Sequence, residues 1–253
     1  MLLEATFLSH ALKRQTQINA VIPDKVPEGA PPRRTLWLLH GLGGNNTSWV
    51  RNSCIERYAQ KYNLTVIMPD AGRSWYTNTQ YGENYFDYIT EELPELCRGT
   101  ICGISDRRED NIVGGLSMGG YGALKIALSF PERYGACISL SGSLDITRKN
   151  RSLDLPLWRA LYDYGMVSPD QLENTPHDLF YLAEKCVREG STLPEIFLWC
   201  GTEDPLIAIN DAYHEHLLRL GIPHTYRFSE GDHSWCWWDM HIKNGIEDII
   251  KRM

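Results

Sequence analysis

Apolar residues fall into short dense runs along the chain, and a stretch of alternating polar and apolar residues precedes them. Residues 5–22 alternate around Lys13, Arg14 and Gln15, which predicts an opening antiparallel hairpin. Six later runs are dense in apolar residues and each gives way to Gly, Asp or Ser, as buried parallel strands do. These runs predict strands at residues 35–40, 64–69, 111–116, 136–140, 195–200 and 224–228.

Between the runs, apolar residues recur at helical spacing. The periodicity predicts helices at residues 47–62, 85–97, 119–130, 207–220 and 239–251. Strands that alternate with helices are typical of α/β proteins. We therefore expect a single domain over residues 1–253, with a mostly parallel twisted sheet and helices on both faces.

Residues 143–193 are long for a connection in such a sheet, where 2–6 residues are usual. We expect a helical insertion there, after the sixth strand. It could form a cap over the carboxyl edge of the sheet, where α/β proteins bind ligands, or it could add packing to the core. The sequence favours neither of these roles over the other.

Composition narrows the class of protein. A chain of 253 residues with 43% hydrophobic side chains can form one large core, and its net charge of −7 disfavours nucleic acid or an anionic membrane as a partner. No apolar run approaches the roughly 20 residues that span a bilayer. The seven cysteines are scattered and unpaired by any Cys-x-x-Cys spacing. We therefore expect free thiols in a cytoplasmic protein.

The sharpest chemical signal is a serine between closely spaced glycines. Residues 115–119 read Gly-Leu-Ser-Met-Gly, which fits the nucleophile elbow of hydrolases. That motif requires a strand before the serine and a helix after it, and both are predicted here. The turn strains the serine backbone and exposes Oγ, while the glycines let strand and helix approach closely. We therefore expect Ser117 to be a nucleophile, rather than an ordinary serine in a glycine-rich turn.

A serine hydroxyl is a weak nucleophile at neutral pH and needs a histidine base held by a carboxylate. Asp204 follows the predicted strand 195–200, and His233 follows the last strand, so both should lie at the carboxyl edge. Three other carboxylates compete for the role of the acid: Glu203, Asp145 and Asp232. Glu203 should point away from the histidine, Asp145 follows an earlier strand, and Asp232 is adjacent to His233 in sequence. Asp204 is therefore favoured.

Ester hydrolysis also requires backbone donors for the oxyanion of the tetrahedral intermediate. The residue after the nucleophile supplies the N–H of Met118. The loop at residues 40–45 leaves the first parallel strand and can supply a second N–H, for which Leu42 is the best candidate. A flexible glycine turn is the alternative for this loop, but its place after a buried strand favours a role in catalysis.

Aromatic residues with polar tips are concentrated in residues 73–88, and the first half of this stretch lacks a helical period. Such side chains suit a small organic substrate. The candidate substrate-binding residues are Trp75, Tyr76, Tyr81 and, beside the histidine, Trp235, which could instead pack the catalytic loop. We expect Tyr85, Phe86 and Tyr88 to form the buried face of the following helix.

Ligand spacings for a metal or a cofactor are missing from the sequence. His214 and His216 come nearest to a metal pair, but side chains two residues apart on a helix diverge. A solvated helix face explains them better. Neither a phosphate-binding loop nor a dinucleotide fingerprint is present. We therefore expect no cofactor and no metal.

Four segments resemble bacterial tributyrin esterases, which belong to the esterase D-like group of α/β-hydrolases. They are His-Gly-Leu-Gly-Gly from His40, Ser-Trp-Tyr-Thr-Asn-Thr-Gln-Tyr-Gly from Ser74, Gly-Leu-Ser-Met-Gly-Gly-Tyr-Gly-Ala from Gly115, and His-Ser-Trp-Cys-Trp-Trp from His233. The likeness runs from about residue 1 to the carboxyl terminus and is weakest in residues 143–193. It implies an α/β-hydrolase fold with five site residues: Ser117 as nucleophile, Asp204 as acid, His233 as base, and Leu42 and Met118 as oxyanion donors.

The expected function is that of a serine carboxylesterase that hydrolyses short-chain acyl esters of small molecules through an acyl-enzyme. A thioesterase that acts on S-formylglutathione and an acyltransferase are alternatives, because substrate identity within the group follows the loops. A non-catalytic binding protein is disfavoured, since no member of the catalytic triad is missing. The physiological ester and the oligomeric state stay undecided, and a homo-oligomer is compatible with the sequence.

Overall fold

A computed structural model of the protein describes residues 1–26, 28–29, 32–79, 82–147 and 172–253. Eight strands of this part of the chain form one sheet: β1 (Leu2–Ser9), β2 (Arg14–Val21), β3 (Arg34–Leu39), β4 (Leu64–Pro69), β5 (Asn111–Leu116), β6 (Ala136–Leu140), β7 (Glu195–Gly201) and β8 (Thr225–Ser229). They lie in the order β1-β2-β4-β3-β5-β6-β7-β8. The β1–β2 and β2–β4 pairs are antiparallel and the other pairs are parallel. The predicted mostly parallel sheet and the opening hairpin are thus confirmed.

Helices cover both faces of the sheet. Successive side chains of a strand point to opposite faces, so Leu36 and Leu38 of β3 pack into one core cluster and Trp37 and Leu39 into another. The helical segments are α1 (Ser48–Asn52), α2 (Ile55–Tyr62), α3 (Tyr85–Asp87), a π turn (Tyr88–Glu92), α4 (Leu93–Thr100), a 3₁₀ turn (Arg108–Asp110), α5 (Met118–Ser129), α6 (Leu179–Arg188), α7 (Ile207–Arg219) and α8 (Trp235–Arg252). None of the helices in the described ranges is long and apolar enough to cross a membrane.

Two predicted elements differ in the structure. The helix predicted over residues 47–62 is divided into α1 and α2, because the hydroxyl of Ser53 donates to the Trp49 carbonyl (2.5 Å) and the Cys54 N–H donates to Asp239 (2.7 Å). Strand β8 was expected to be buried, but it lies at the edge of the sheet. Phe228 there is 66% exposed. Hydrophobic composition alone does not distinguish an edge strand from a central one.

The predicted insertion is described only at its two ends, since residues 148–171 lie outside the described part of the chain. In the flanks that are described, eight apolar side chains are buried in the core: Leu144, Ile146, Leu172, Leu179, Phe180, Leu182, Ala183 and Cys186. These flanks therefore pack the core. Whether the insertion also caps the site stays a prediction.

The order of the strands determines where a ligand can bind. From β3 the chain first adds β4 on one side and then β5 on the other, so the loops after β3 and β5 diverge at the carboxyl edge. Such a topological switch point is where open α/β sheets bind ligands. The loop that begins at Gly41 and the turn at Ser117 lie on its two sides.

Candidate active site

Ser117 lies in a strained turn between β5 and α5. Its backbone has φ 54° and ψ −118°, which is unfavourable for a residue with a Cβ. The Ser117 N–H donates to the Leu140 carbonyl (2.9 Å), and the Ser117 carbonyl accepts from Tyr121 (3.1 Å) and Ser143 (3.2 Å). These hydrogen bonds hold the turn in its conformation.

Position 119 requires glycine because the end of strand β3 approaches it closely. A Cβ at Gly119 would lie 2.5 Å from the carbonyl oxygen of Leu39 and 2.7 Å from that of His40. Both contacts are with backbone, which cannot rotate away as a side chain can. The spacing that revealed the elbow in the sequence therefore has a steric cause.

His233 links the serine to a carboxylate. It follows β8, and its Nε2 lies 3.0 Å from Ser117 Oγ, while Nδ1 lies 2.8 Å from Asp204 Oδ2. Because the carboxylate accepts a hydrogen bond, Nδ1 carries the proton and Nε2 is free to accept from the serine. The edge of Trp238 packs against the imidazole, with ring centroids 4.8 Å apart at 89°. Hydrogen bonds and packing together fix the ring.

Asp204 is the carboxylate that reaches this histidine. Its side chain is fully buried after β7, and Oδ1 accepts the Leu206 N–H at 2.8 Å. Of the three rival acids, Glu203 is exposed, Asp232 is exposed and accepts from the Ser234 hydroxyl, and Asp145 accepts from the N–H and hydroxyl of Thr147. The structure thus brings Asp204 to the histidine.

A cleft of about 300 Å³ opens beside the serine. Its lining includes Ser117, His233 and residues 41–44 of the loop after β3, together with apolar and polar side chains from other elements: Ser48, Asn52, Leu116, Trp235 and Trp238. Within the described ranges, neither the Leu42 N–H nor the Met118 N–H donates a hydrogen bond. Both N–H groups are thus unpaired among the described residues, as their predicted role as oxyanion donors requires.

The aromatic candidates lie in different places. Trp75 and Tyr76 are fully buried, and both have positive φ, at 54° and 51°. Neither is among the residues that line the cleft. Tyr81 lies outside the described residues. Trp235 does line the cleft, and it also packs edge-on against Trp49, with ring centroids 5.0 Å apart.

His40 supports the loop after β3, a role that the sequence analysis missed. It is buried, its Nδ1 lies 2.8 Å from the Gly41 carbonyl, and its Nε2 accepts the Ala71 N–H at 3.0 Å. A carbonyl can only accept, so Nδ1 carries the proton. Burial lowers the pKa of His40, and the ring is therefore neutral. The only signal in the sequence is its place at the end of a buried strand.

His214 and His216 point to different partners. His214 Nδ1 lies 2.7 Å from Nε2 of His224, whereas His216 Nε2 lies 3.1 Å from the Phe180 carbonyl. The expected divergence of the two side chains is confirmed, but the expected solvated face is wrong for His216, which is buried against Phe180. Among the described residues, no group of three or more His, Cys, Asp or Glu side chains could hold a metal ion.

Comparisons with known proteins agree with this geometry. The family model described as "Putative esterase" matches residues 9–249. An acetyl esterase from Caldicellulosiruptor saccharolyticus is 30% identical over 263 residues, which cover 99% of this chain and 98% of that protein. Two Staphylococcus aureus structures are 29% identical and cover 99% of this chain and 98% of theirs: an S-formylglutathione hydrolase (TM-score 0.85) and the fluorophosphonate-binding serine hydrolase F, solved with substrate (0.87). Each likeness extends over nearly the whole chain.

Proposed function

Because this chain belongs to the esterase family, and is a carboxylic ester hydrolase with the predicted α/β-hydrolase fold, we propose that it is a serine esterase of short-chain acyl esters. One observation carries the proposal: the continuous hydrogen-bond chain from Ser117 Oγ through His233 to Asp204, at 3.0 and 2.8 Å. The first distance lies within the range required for proton transfer from a nucleophile to its base, and the second is that of the hydrogen bond that orients the base.

In this proposal Ser117 Oγ attacks the acyl carbonyl carbon while His233 Nε2 takes the hydroxyl proton. Asp204 stabilises the imidazolium that forms, and the N–H groups of Leu42 and Met118 donate to the oxyanion. His233 then protonates the leaving alcohol, and an acyl group stays on Ser117. Water, deprotonated by His233, attacks this acyl-enzyme, and His233 returns that proton to Ser117 Oγ as the acid leaves.

The cleft supports a short acyl group. Its volume is about 300 Å³, and the bulky indoles of Trp235 and Trp238 line it together with the Leu42 and Leu116 side chains. This volume is at the small end of ligand pockets, which favours a small ester. The acetyl esterase relative supports the same preference. Membership of the tributyrin esterase group, which the sequence resembles, is part of this proposal.

A thioesterase that acts on S-formylglutathione is the second candidate. It is favoured by the likeness to the S. aureus S-formylglutathione hydrolase, which is as similar in sequence, at 29% identity, as the serine hydrolase F. The same triad would attack a thioester carbonyl, and a thiolate would leave in place of an alkoxide. The two candidates differ in the leaving group, which is an alcohol for the ester and glutathione for the thioester. The cleft must therefore bind a different group beyond the acyl carbonyl in each case.

Hydrolysis of a substrate series tests both candidates. We expect nitrophenyl acetate and butyrate to be hydrolysed with a kcat/KM at least tenfold above that of nitrophenyl octanoate. A kcat/KM for S-formylglutathione above that of every ester would favour the thioesterase instead. Ser117→Ala should abolish turnover of all substrates while the circular dichroism spectrum and Tm stay unchanged.

Ser129→Ala provides the matched control. It removes the hydroxyl of the last residue of α5, at the end of the helix away from Ser117, and this hydroxyl has no hydrogen-bond partner among the described residues. Turnover should stay at the level of the unmodified protein. Undiminished turnover in Ser117→Ala would contradict the proposed nucleophile.

A further inference from the structure

A lysine is buried in the helix that follows the nucleophile. Lys125, eight residues after Ser117, is 1% exposed. Among the described residues no carboxylate lies within ion-pair distance of its Nζ, which is unusual for a buried lysine. Burial lowers its pKa to about 7. An uncompensated buried lysine is costly, so its contacts call for an explanation.

Three hydrogen-bond partners surround the Lys125 amine. Nζ donates to the Tyr76 carbonyl (3.1 Å) and the Thr77 hydroxyl (2.8 Å), and it lies 3.2 Å from His177 Nδ1. It also lies over the ring of Phe86, 4.6 Å from the centroid. Two of the three partners belong to the loop after β4. The lysine thus connects the helix of the nucleophile to that loop.

The loop needs this support because its backbone is strained. Two successive residues with side chains, Trp75 and Tyr76, have positive φ, a region that such residues rarely adopt. The Thr77 hydroxyl donates to the Trp75 carbonyl (3.0 Å) while it accepts from Lys125. Lys125 therefore binds the strained turn at two points, directly at the Tyr76 carbonyl and through Thr77.

The strained turn aims the Tyr76 phenol at the loop after β3. Its hydroxyl donates to the His40 carbonyl at 2.8 Å, and its ring packs on Gly122 of α5, where a Cβ would lie 2.4 Å from the ring. Burial keeps the pKa of Tyr76 well above 10, so the phenol stays a donor. Gly41 and Leu42 follow His40 directly. The N–H of Leu42 is one of the two predicted oxyanion donors.

We infer that Lys125 and Tyr76 are positioning residues that fix the oxyanion-binding loop at residues 40–44 relative to the nucleophile helix. Lys125 acts through Tyr76, and Tyr76 acts through the His40 carbonyl. Neither is among the residues that line the cleft, so neither is expected to contact the substrate. Only the expected effect on kcat rests on the proposed function. The hydrogen-bond chain orders the loop whichever reaction the site performs.

Tyr76→Phe tests the last link of the chain with the least disturbance. The ring stays packed on Gly122 and only the hydroxyl is lost. Backbone N–H groups that are already in position for the oxyanion stabilise the transition state and raise kcat. Contacts that bind the substrate and the transition state equally well change KM instead. We therefore expect kcat for nitrophenyl acetate to fall about tenfold, with KM changed less than twofold. A boronic acid inhibitor, which forms a tetrahedral adduct at the serine, should bind about tenfold more weakly.

A double-mutant cycle tests the connection to the lysine. Lys125→Met keeps the length of the side chain and removes the amine, and we expect kcat to fall several-fold. If both residues act through one chain, the variant with both changes should lose no more than the more damaging single variant. Losses that multiply would overturn the inference. Should Lys125→Met not fold, Thr77→Val takes its place in the cycle, because it removes the hydroxyl that accepts from Lys125 Nζ at 2.8 Å.

Hydrogen exchange gives a readout that does not depend on activity. The amides of residues 41–44 should exchange faster in Tyr76→Phe than in the unmodified protein. Tyr134→Phe is the matched control, since it removes the hydroxyl of another buried tyrosine, which lies next to the amino end of β6. It should change neither kcat nor the exchange of the loop. Unaltered kcat and exchange in Tyr76→Phe, or equal changes in Tyr134→Phe, would overturn the inference.

Absence of ester and thioester turnover in the unmodified protein would instead contradict the proposed function. The exchange experiment would still test the hydrogen-bond chain from Lys125 through Tyr76 to the loop.

Discussion

Asp204→Asn is the substitution whose outcome follows most directly from the geometry. The Asn carbonyl can keep the hydrogen bond that Oδ1 accepts from the Leu206 N–H (2.8 Å). Its amide then replaces Oδ2, 2.8 Å from His233 Nδ1. An amide is a donor, so it favours the histidine tautomer with its proton on Nε2. Nε2 would then face Ser117 Oγ with a proton and could not accept one.

The expected loss is large. The wrong tautomer in a serine-protease triad lowers kcat by about 10⁴, which corresponds to about 5.4 kcal/mol of transition-state stabilisation. We expect a loss of that order here, because Asp204 is fully buried and water cannot replace it as a partner of the imidazole. KM should change little, since the carboxylate lies behind the histidine and away from the substrate.

Initial rates with nitrophenyl acetate measure the effect, with Tm as the check on folding. Glu203→Gln is the matched control: it neutralises the exposed carboxylate next in sequence and should keep kcat within twofold. A loss below tenfold in Asp204→Asn would refute the assignment of the acid. A larger loss in Glu203→Gln or Asp145→Asn would transfer the role to that residue.

Three further predictions concern stability and specificity. Gly119→Ala should lower the free energy of unfolding by about 2 kcal/mol, because its Cβ would lie 2.5 Å from the Leu39 carbonyl oxygen; an unchanged urea midpoint would contradict this. Trp235→Leu should enlarge the cleft and raise the ratio of octanoate to acetate kcat/KM about tenfold; an unchanged ratio would remove this indole from the acyl site. Burial lowers the pKa of His241 to about 4. Between pH 6.5 and 4 the unfolded chain therefore binds a proton that the folded protein does not, and stability falls as the pH falls. His241→Phe, which can still stack on Trp199, should reduce this fall by up to about 2 kcal/mol, and equal pH slopes in urea denaturation would refute it.

Much of the architecture could be predicted because it depends on local pattern. A buried parallel strand is apolar along its whole length, and the nucleophile elbow needs glycines two residues on either side of its serine. Asp204 and His233 follow strands in the sequence, so the sheet brings them to the same edge as Ser117. Their distances and tautomer required coordinates, since they depend on how three separate loops close.

Other features depend on contacts between distant segments. Trp75 and Tyr76 have the composition of a binding loop, yet they are buried, because α5 presents Gly122 to the Tyr76 ring and Lys125 to its carbonyl. The sequence marks neither contact. Phe228 is as apolar as a buried strand residue and is exposed, because β8 is the edge strand of the sheet in the described part of the chain.

The central claim is that Ser117 is the activated nucleophile of this protein. The direct measurement is brief labelling of the native protein with a fluorophosphonate, followed by peptide mapping by mass spectrometry. We predict one label per chain, on the peptide that contains Ser117, with labelling strongly slowed in His233→Ala and absent in Ser117→Ala. A label on another residue, or no label on a protein shown to be folded, would contradict the claim.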